Sequence, residues 1–449
     1  VPYLLDFAYL LLILLSLPWL VKEAVSKGKY REGFGAKFLG LVPRRKTEGG
    51  KCVWFHAVSV GEVNLLDPLL KKIKATQPDW ECVVSTTTKS GMALARKKYA
   101  NLAVFYCPLD FTWAAAAAMR RVRPDVLVLA ELELWPNLIR AAKRRGAEVA
   151  VINGRLSEKS FRGYRRIRWF IGRLLRRIDV IAAQDETYGG RFAALGAEQA
   201  QIEVTGSMKF DGAETDRQNS KTRRLAELAG IAADDMVFLA GSTQVPEEEA
   251  AIGIFKRLAE EFPRLKLIVV PRHPERFDEV ANLLDESGVA WQRRTGLDGA
   301  KGAEGLVPST NAKSPIRRDE LGGSQTPRVL LVDVVGELGA WWGTAQMAFV
   351  GGSFGNRGGQ NMIEPAAYGA AVSFGPNTWN FRDIVAAILE HQAAVVVKDP
   401  SELETFIRRC LTDRAYATEL GRRAQTLVRA QQGATEKTLG LLRNLISAP

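Results

Sequence analysis

The chain has 449 residues and a formal net charge of +12 at pH 7. The length exceeds one ordinary core, so two domains are expected, and an apolar fraction of 47% with 25% charged residues excludes a disordered or collagen-like chain. Four cysteines without CxxC spacing and three scattered histidines argue against a disulfide framework and a zinc site. The basic excess calls for an anionic partner: an acidic membrane surface or a phosphorylated substrate. Nucleic acid is the weakest of the anionic choices, because no zinc finger, RNP-type strand or lysine-rich tail is present.

Leu4–Leu20 is apolar apart from Asp6, Ser16 and Pro18, close to the roughly 20 residues of a membrane-spanning helix. It lacks the basic start and small-residue cleavage site of a signal peptide. Lys22, Lys27, Lys29, Arg31, Lys37 and Arg44–Lys46 follow, which by the positive-inside rule puts the rest of the chain in the cytoplasm. The expectation is a membrane anchor over 1–46, spanning or lying in the interface.

Over 47–210, short apolar strands alternate with helical stretches. Lys51–Ala57, Trp80–Thr86, Ala103–Cys107, Val126–Ala130, Glu148–Ile152, Val180–Ala183 and Ile202–Val204 read as strands. Such alternation predicts a parallel sheet with helices on both faces, binding ligands beyond the carboxyl ends of its strands. Polar runs stand at those ends: His56-Ala-Val-Ser-Val-Gly-Glu62, Glu131-Leu-Glu133-Leu-Trp-Pro-Asn137, Asn153-Gly-Arg155 and Thr205-Gly-Ser-Met-Lys209. The polar stretch Lys209–Arg224 reads as an interdomain linker, 211–224 at its narrowest. A second alternating set fills 225–449, with strands at Val237–Ala240, Leu267–Val270, Val329–Val332, Met347–Val350, Ala371–Phe374 and Ala394–Val397. Gln292–Pro327, rich in Gly, Ser, Pro and charge, reads as a flexible surface insertion with no part in the site. The fold expected is α/β: two Rossmann-like doubly wound domains facing a cleft, behind an N-terminal membrane-anchor helix.

The second domain carries the most distinctive stretch. Met347–Val350 runs into Gly351–Gln360 and a helix start near Asn361. Glycines let a backbone approach a ligand, and a helix start offers free N–H groups to a phosphate. Glu364 is placed to accept from ribose hydroxyls. The loop is neither GxGxxG nor a Walker sequence, and a ligand-free glycine turn is the plainer alternative. Arg272, just past a strand, suits a phosphate, against the alternative of a surface salt bridge. Lys209 is a second cation for the same phosphate. Glu62 is a candidate general base, with helix capping as the competing role. Glu131 and Glu133 are two apart, so on an extended segment they point the same way and form either a functional carboxylate pair or a metal site. No Asp-x-Asp occurs, which speaks against a metal-bridged diphosphate donor.

The runs at 56–62, 131–137, 153–157, 205–211, 270–277, 336–338 and 349–365 resemble, in order, those of the 3-deoxy-D-manno-octulosonic acid (Kdo) transferases of lipopolysaccharide synthesis. The resemblance implies a GT-B glycosyltransferase that uses CMP-Kdo and a lipid A precursor of the lipid IVA type, with no cofactor and no metal. It implies inner-membrane lipids as surroundings, at the cytoplasmic face of the inner membrane of a Gram-negative-type cell. It makes Glu62 the base and gives the 131–137 run a functional carboxylate, Glu131 or Glu133. It sets Lys209, Arg272, His273, Gly336, Glu337, Gly352, Ser353, Asn361 and Glu364 toward CMP-Kdo. The insertion and the Phe354-Gly355-Asn356 segment depart from the family pattern. Two rivals stand beside this reading: a nucleotide-sugar epimerase on the same fold, and a non-catalytic nucleotide- or lipid-binding protein.

Overall fold

The computed structural model describes residues 2–27, 32–46, 49–297 and 327–447. The chain divides into two compact units, Val1–Gly212 with Gln431–Pro449, and Ala213–Ala430.

The first unit is built on seven strands: β1 Lys51–His56, β2 Trp80–Thr86, β3 Ala103–Tyr106, β4 Val126–Ala130, β5 Glu148–Gly154, β6 Val180–Ala183 and β7 Ile202–Val204. They pair in parallel in the order β3-β2-β1-β4-β5-β6-β7. Continuous apolar runs make these strands because helices cover both faces. Alternate side chains divide between two cores: Cys52 and Trp54 point into one, Val53 and Phe55 into the other. The strand order reverses between β1 and β4, which opens a crevice beyond their carboxyl ends.

The second unit repeats the plan with β8 Met236–Thr243, β9 Leu265–Pro271, β10 Trp291–Arg293, β11 Val329–Leu331, β12 Met347–Val350, β13 Ala371–Phe374 and β14 Ala394–Val396. Their order is β10-β11-β9-β8-β12-β13-β14, again all parallel, with the reversal between β8 and β12.

Three sequence expectations need correcting. Residues Ala434–Ser447 form a helix of the first unit, not of the second: Leu439, Leu442 and Ile446 are buried in the core that holds Val53, Phe55, Leu66 and Leu69. Burying such side chains contributes about 1.5–3 kcal/mol each, enough to draw the helix away from the neighbouring sequence. The linker is shorter than the polar stretch, because Ser220–Leu228 is a helix capped by the Asn219 side chain on Thr222 N. The insertion begins inside ordered structure, since Gln292 and Arg293 belong to β10, beside β11. Its residues 298–326 lie outside the described residues.

The sequence leaves the N-terminal segment open between a spanning and an interfacial helix. Among the described residues no helix is long and apolar enough to cross a membrane. The helix Pro2–Lys27 docks on the first unit through a polar contact. Asp6, 5% exposed, accepts from Thr112 N at 2.9 Å and Thr112 Oγ1 at 2.6 Å. Tyr9 stands edge-on to Phe111. A buried carboxylate with protein donors ties this stretch to the body of the unit. Phe7, Leu10, Leu11, Leu12, Leu14 and Leu15 remain exposed.

Candidate active site

The crevice beyond β1 and β4 gathers the first unit's candidate groups. Ser59 caps the helix Val60–Thr76, and Glu62 is its third residue. Glu62 accepts from Ser59 Oγ (2.8 Å) and from Val58 N (2.8 Å), so it does cap the helix start. Capping fixes the carboxylate without exhausting it, because an ionised carboxylate has about four lone-pair sites. Burial, outweighing these bonds, pushes its pKa up.

Glu131 and Glu133 are bonded to different partners. Glu131 has a φ of 55°, a left-handed conformation that breaks the extended path on which their parallel orientation rested. Glu131 turns to Lys209, with Oε1 2.8 Å from Nζ. Glu133 accepts from Trp135 Nε1 at 2.9 Å. Burial, with the charges of Glu62 and Glu131 added, pushes Glu133 up to about 7. Among the described residues no group of three or more His, Cys, Asp or Glu side chains forms a metal site.

His56 ends β1 fully buried, with Nδ1 2.9 Å from Ser85 Oγ and its ring edge-on to Trp135 at 5.6 Å. Burial pushes it down to about 4, so it stays neutral, and its Nε2 has no hydrogen-bond partner among the described residues. It braces the indole that holds Glu133. Asn153, also at positive φ, accepts from Met208 N at 3.0 Å and so fixes the backbone next to Lys209.

In the second unit the donor candidates separate into two kinds. Arg272 follows β9, is exposed, and makes no ion pair among the described residues. Its charge lowers the Glu364 carboxyl, against a larger upward push from burial. Glu364 Oε1 accepts from Asn361 Nδ2 at 3.0 Å, and Asn361 Oδ1 accepts from Ile363 N at 3.1 Å. The helix these residues begin, Ile363–Ala367, has only five residues, so its field toward a phosphate is weaker than the sequence suggested. His273 is exposed, 4.0 Å from Glu275.

The others are held within the protein. Ser353 is fully buried; its hydroxyl donates to Val350 O (2.7 Å) and accepts from Gly375 N (2.8 Å). Gly352 donates its N–H to Glu247 Oε2 at 2.7 Å and has a φ of 67°. Glu337 is gripped by Arg294 through two 2.8 Å bonds and accepts from Trp341 Nε1, while Gly336 beside it has a φ of 96°. Arg294 lies within the stretch expected to have no part in the site, yet it is buried and holds one of the site's candidates. Sequence reading missed His56, Trp135 and Glu247. In Glu247-Glu-Glu249 an acidic first turn is ordinary, and only the fold reveals that Glu247 and Glu248 are each 1% exposed.

Two doubly wound parallel sheets, with carboxylates at one switch point and a glycine loop at the other, define the GT-B type fold. The family model described as 3-deoxy-D-manno-octulosonic-acid transferase matches residues 31–212. The 3-deoxy-D-manno-octulosonic acid transferase of Haemophilus influenzae is 30% identical over 423 residues, covering 94% of this chain and 93% of that protein. The crystal structure of the C-terminal CMP-Kdo binding domain of WaaA from Acinetobacter baumannii is 26% identical, covering 46% of this chain and 96% of that domain, with a TM-score of 0.38. The UDP-GlcNAc 2-epimerase of Neisseria meningitidis shares the fold at 11% identity, covering 88% of this chain and all of that one, with a TM-score of 0.51. The chain belongs to the Kdo transferase family. It is a CMP-Kdo-dependent glycosyltransferase of lipopolysaccharide synthesis.

Proposed function

We propose that the protein transfers Kdo from CMP-Kdo to a lipid A precursor of the lipid IVA type, with inversion and without a metal, at the cytoplasmic face of the inner membrane. Glu62 takes the proton from the acceptor sugar's hydroxyl as that oxygen attacks the anomeric carbon of Kdo. The C–O bond to CMP breaks, and CMP leaves as a phosphate monoester. A positioned base contributes about 10²–10⁴-fold, more when its pKa is raised toward working pH. Lys209, held by Glu131, supplies positive charge near the reacting groups, and Arg272 meets the phosphate. Asn361 and Glu364 orient the ribose. The observation that carries the reading is Glu62 itself: a buried, oriented carboxylate of raised pKa at the switch point of β1 and β4.

The surface of the first unit supports a bilayer setting. The exposed leucines of Pro2–Lys27 adjoin a groove lined by Leu5, Arg140, Trp169, Arg173 and Arg177. Those three arginines make no ion pair among the described residues. Apolar side chains beside unpaired arginines suit an interface with anionic headgroups.

The test is CMP release by detergent-solubilised protein given CMP-Kdo and a lipid A precursor, with EDTA present. Acceptor-dependent release, with a loss of at least about 10²-fold in Glu62→Ala, is expected. No release by the unsubstituted protein with any lipid A precursor refutes the acceptor class. Full activity in Glu62→Ala moves the base to Glu131 or Glu133. Loss of release in EDTA, restored by a divalent ion, overturns the metal-free mechanism.

A further inference from the structure

The glycine loop after β12 was expected to bring its backbone close to a ligand. The amides at its start are already occupied. Glu247 Oε1 accepts from Ser353 N (2.9 Å) and Phe354 N (3.0 Å), and its Oε2 accepts from Gly352 N (2.7 Å) and Gln244 N (2.9 Å). Glu247 opens the helix Glu247–Leu258, which follows β8, and β8 is the strand across the switch point from β12. One buried carboxylate therefore joins the two loops that flank the crevice. The fit is close: a Cβ on Gly351 would lie 2.7 Å from Glu247 Oε2 and 2.6 Å from Ser242 O, so only glycine is accommodated there.

The hold extends outward along the loop. Gly352 O accepts from Gly359 N at 2.8 Å, and two residues further Asn361 bonds to Glu364. Ser353 O accepts from Asn377 N at 3.1 Å. A chain of hydrogen bonds thus runs from Glu247 through Gly352 to Gly359, two residues before the pair assigned to the ribose.

We propose that Glu247 is the positioning residue of the donor loop: its carboxylate, in place of a donor phosphate, fills the amide cradle formed by Gln244 and Gly352–Phe354. The proposal rests on the reading of the second unit as the CMP-sugar unit. It leaves the single phosphate of the donor to Arg272 and to groups beyond Gly358. Charge-assisted bonds to four amides fix a glycine-rich segment that would otherwise lose much conformational entropy on binding.

The test has two arms. In the unsubstituted full-length protein, hydrogen exchange is followed with and without CMP. The Gly352–Phe354 amides should exchange slowly without ligand and gain nothing from CMP, while a peptide over Gly359–Glu364 becomes protected. CMP protection at Gly352–Phe354 overturns the role of Glu247 and leaves the donor reading standing. If CMP protects no peptide, the donor reading falls and takes this role with it. In the second arm, E247Q retains the shape but turns an amide NH₂ toward two N–H donors. Its KM for CMP-Kdo should rise at least tenfold, with kcat within about threefold and the acceptor KM unchanged. An unchanged KM with only a lowered Tm would mean a structural role alone and overturn the proposal. If E247Q fails to fold, the exchange arm decides by itself.

Discussion

Glu133→Gln isolates the electrostatic strain at the β4 rim. Gln keeps a carbonyl oxygen for Trp135 Nε1 and removes the charge that burial and Glu62 disfavour. Glu133 rises from 4.5 to about 7 on folding. The folded protein therefore holds this proton more tightly than the unfolded chain, and its contribution to stability falls as pH rises from about 4.5 to about 7. Between pH 5 and pH 8 about 1.8 pH units of that rise are expressed, about 2.5 kcal/mol at 1.36 kcal/mol per unit. Partial solvent screening at this half-buried position roughly halves that, to about 1.3 kcal/mol. For a unit of this size, about 1.3 kcal/mol is a Tm difference of about 3–5 °C. Tm should be measured for both proteins at pH 5 and pH 8. The variant should gain on the unsubstituted protein by that amount at the higher pH. Asp110, which burial also pushes up to about 7, contributes equally to both curves and cancels. A Tm difference that is the same at both pH values refutes the reasoning.

Arg272→Ala should raise the KM for CMP-Kdo about 10- to 100-fold, the loss of a charged hydrogen bond, and should weaken the salt dependence of that KM. An unchanged KM across ionic strength removes Arg272 from the donor site. Asp6→Ala should lower Tm by leaving Thr112 N and Thr112 Oγ1 without the carboxylate that accepts from both, about 2 kcal/mol in all, and should speed proteolysis within Pro2–Lys27. Unaltered proteolysis would show that Asp6 does not hold that helix.

Strands announced themselves wherever both faces are covered. Val126–Ala130 and Met347–Val350 are uninterrupted apolar runs, and a buried parallel strand leaves no other composition open. β10 did not, because it is three residues long and two of them, Gln292 and Arg293, are polar. The glycine loop and the Ser59–Glu62 cap were legible because turn and cap chemistry is local. The fates of Glu131, Ser353 and Glu337 were not. Each is decided by a partner far along the chain or by one backbone angle: Lys209 and a φ of 55° for Glu131, Gly375 for Ser353, Arg294 for Glu337. The apolar N-terminal run was visible, whereas its docking depended on Asp6 finding Thr112 across about a hundred residues. Family membership came from ordered motifs, which carry such distant pairings without displaying them.

The return of Ala434–Ser447 to the first unit has a consequence for how the protein is made. Leu439, Leu442 and Ile446 are translated only after the whole of Ala213–Ala430, yet they close the core formed by β1 and the helix Val60–Thr76. On the ribosome that part of the first unit's core lacks these side chains until the second unit has been synthesised. The order of synthesis and the order of completion are thereby inverted, and the unit that carries Glu62 is the last to be sealed.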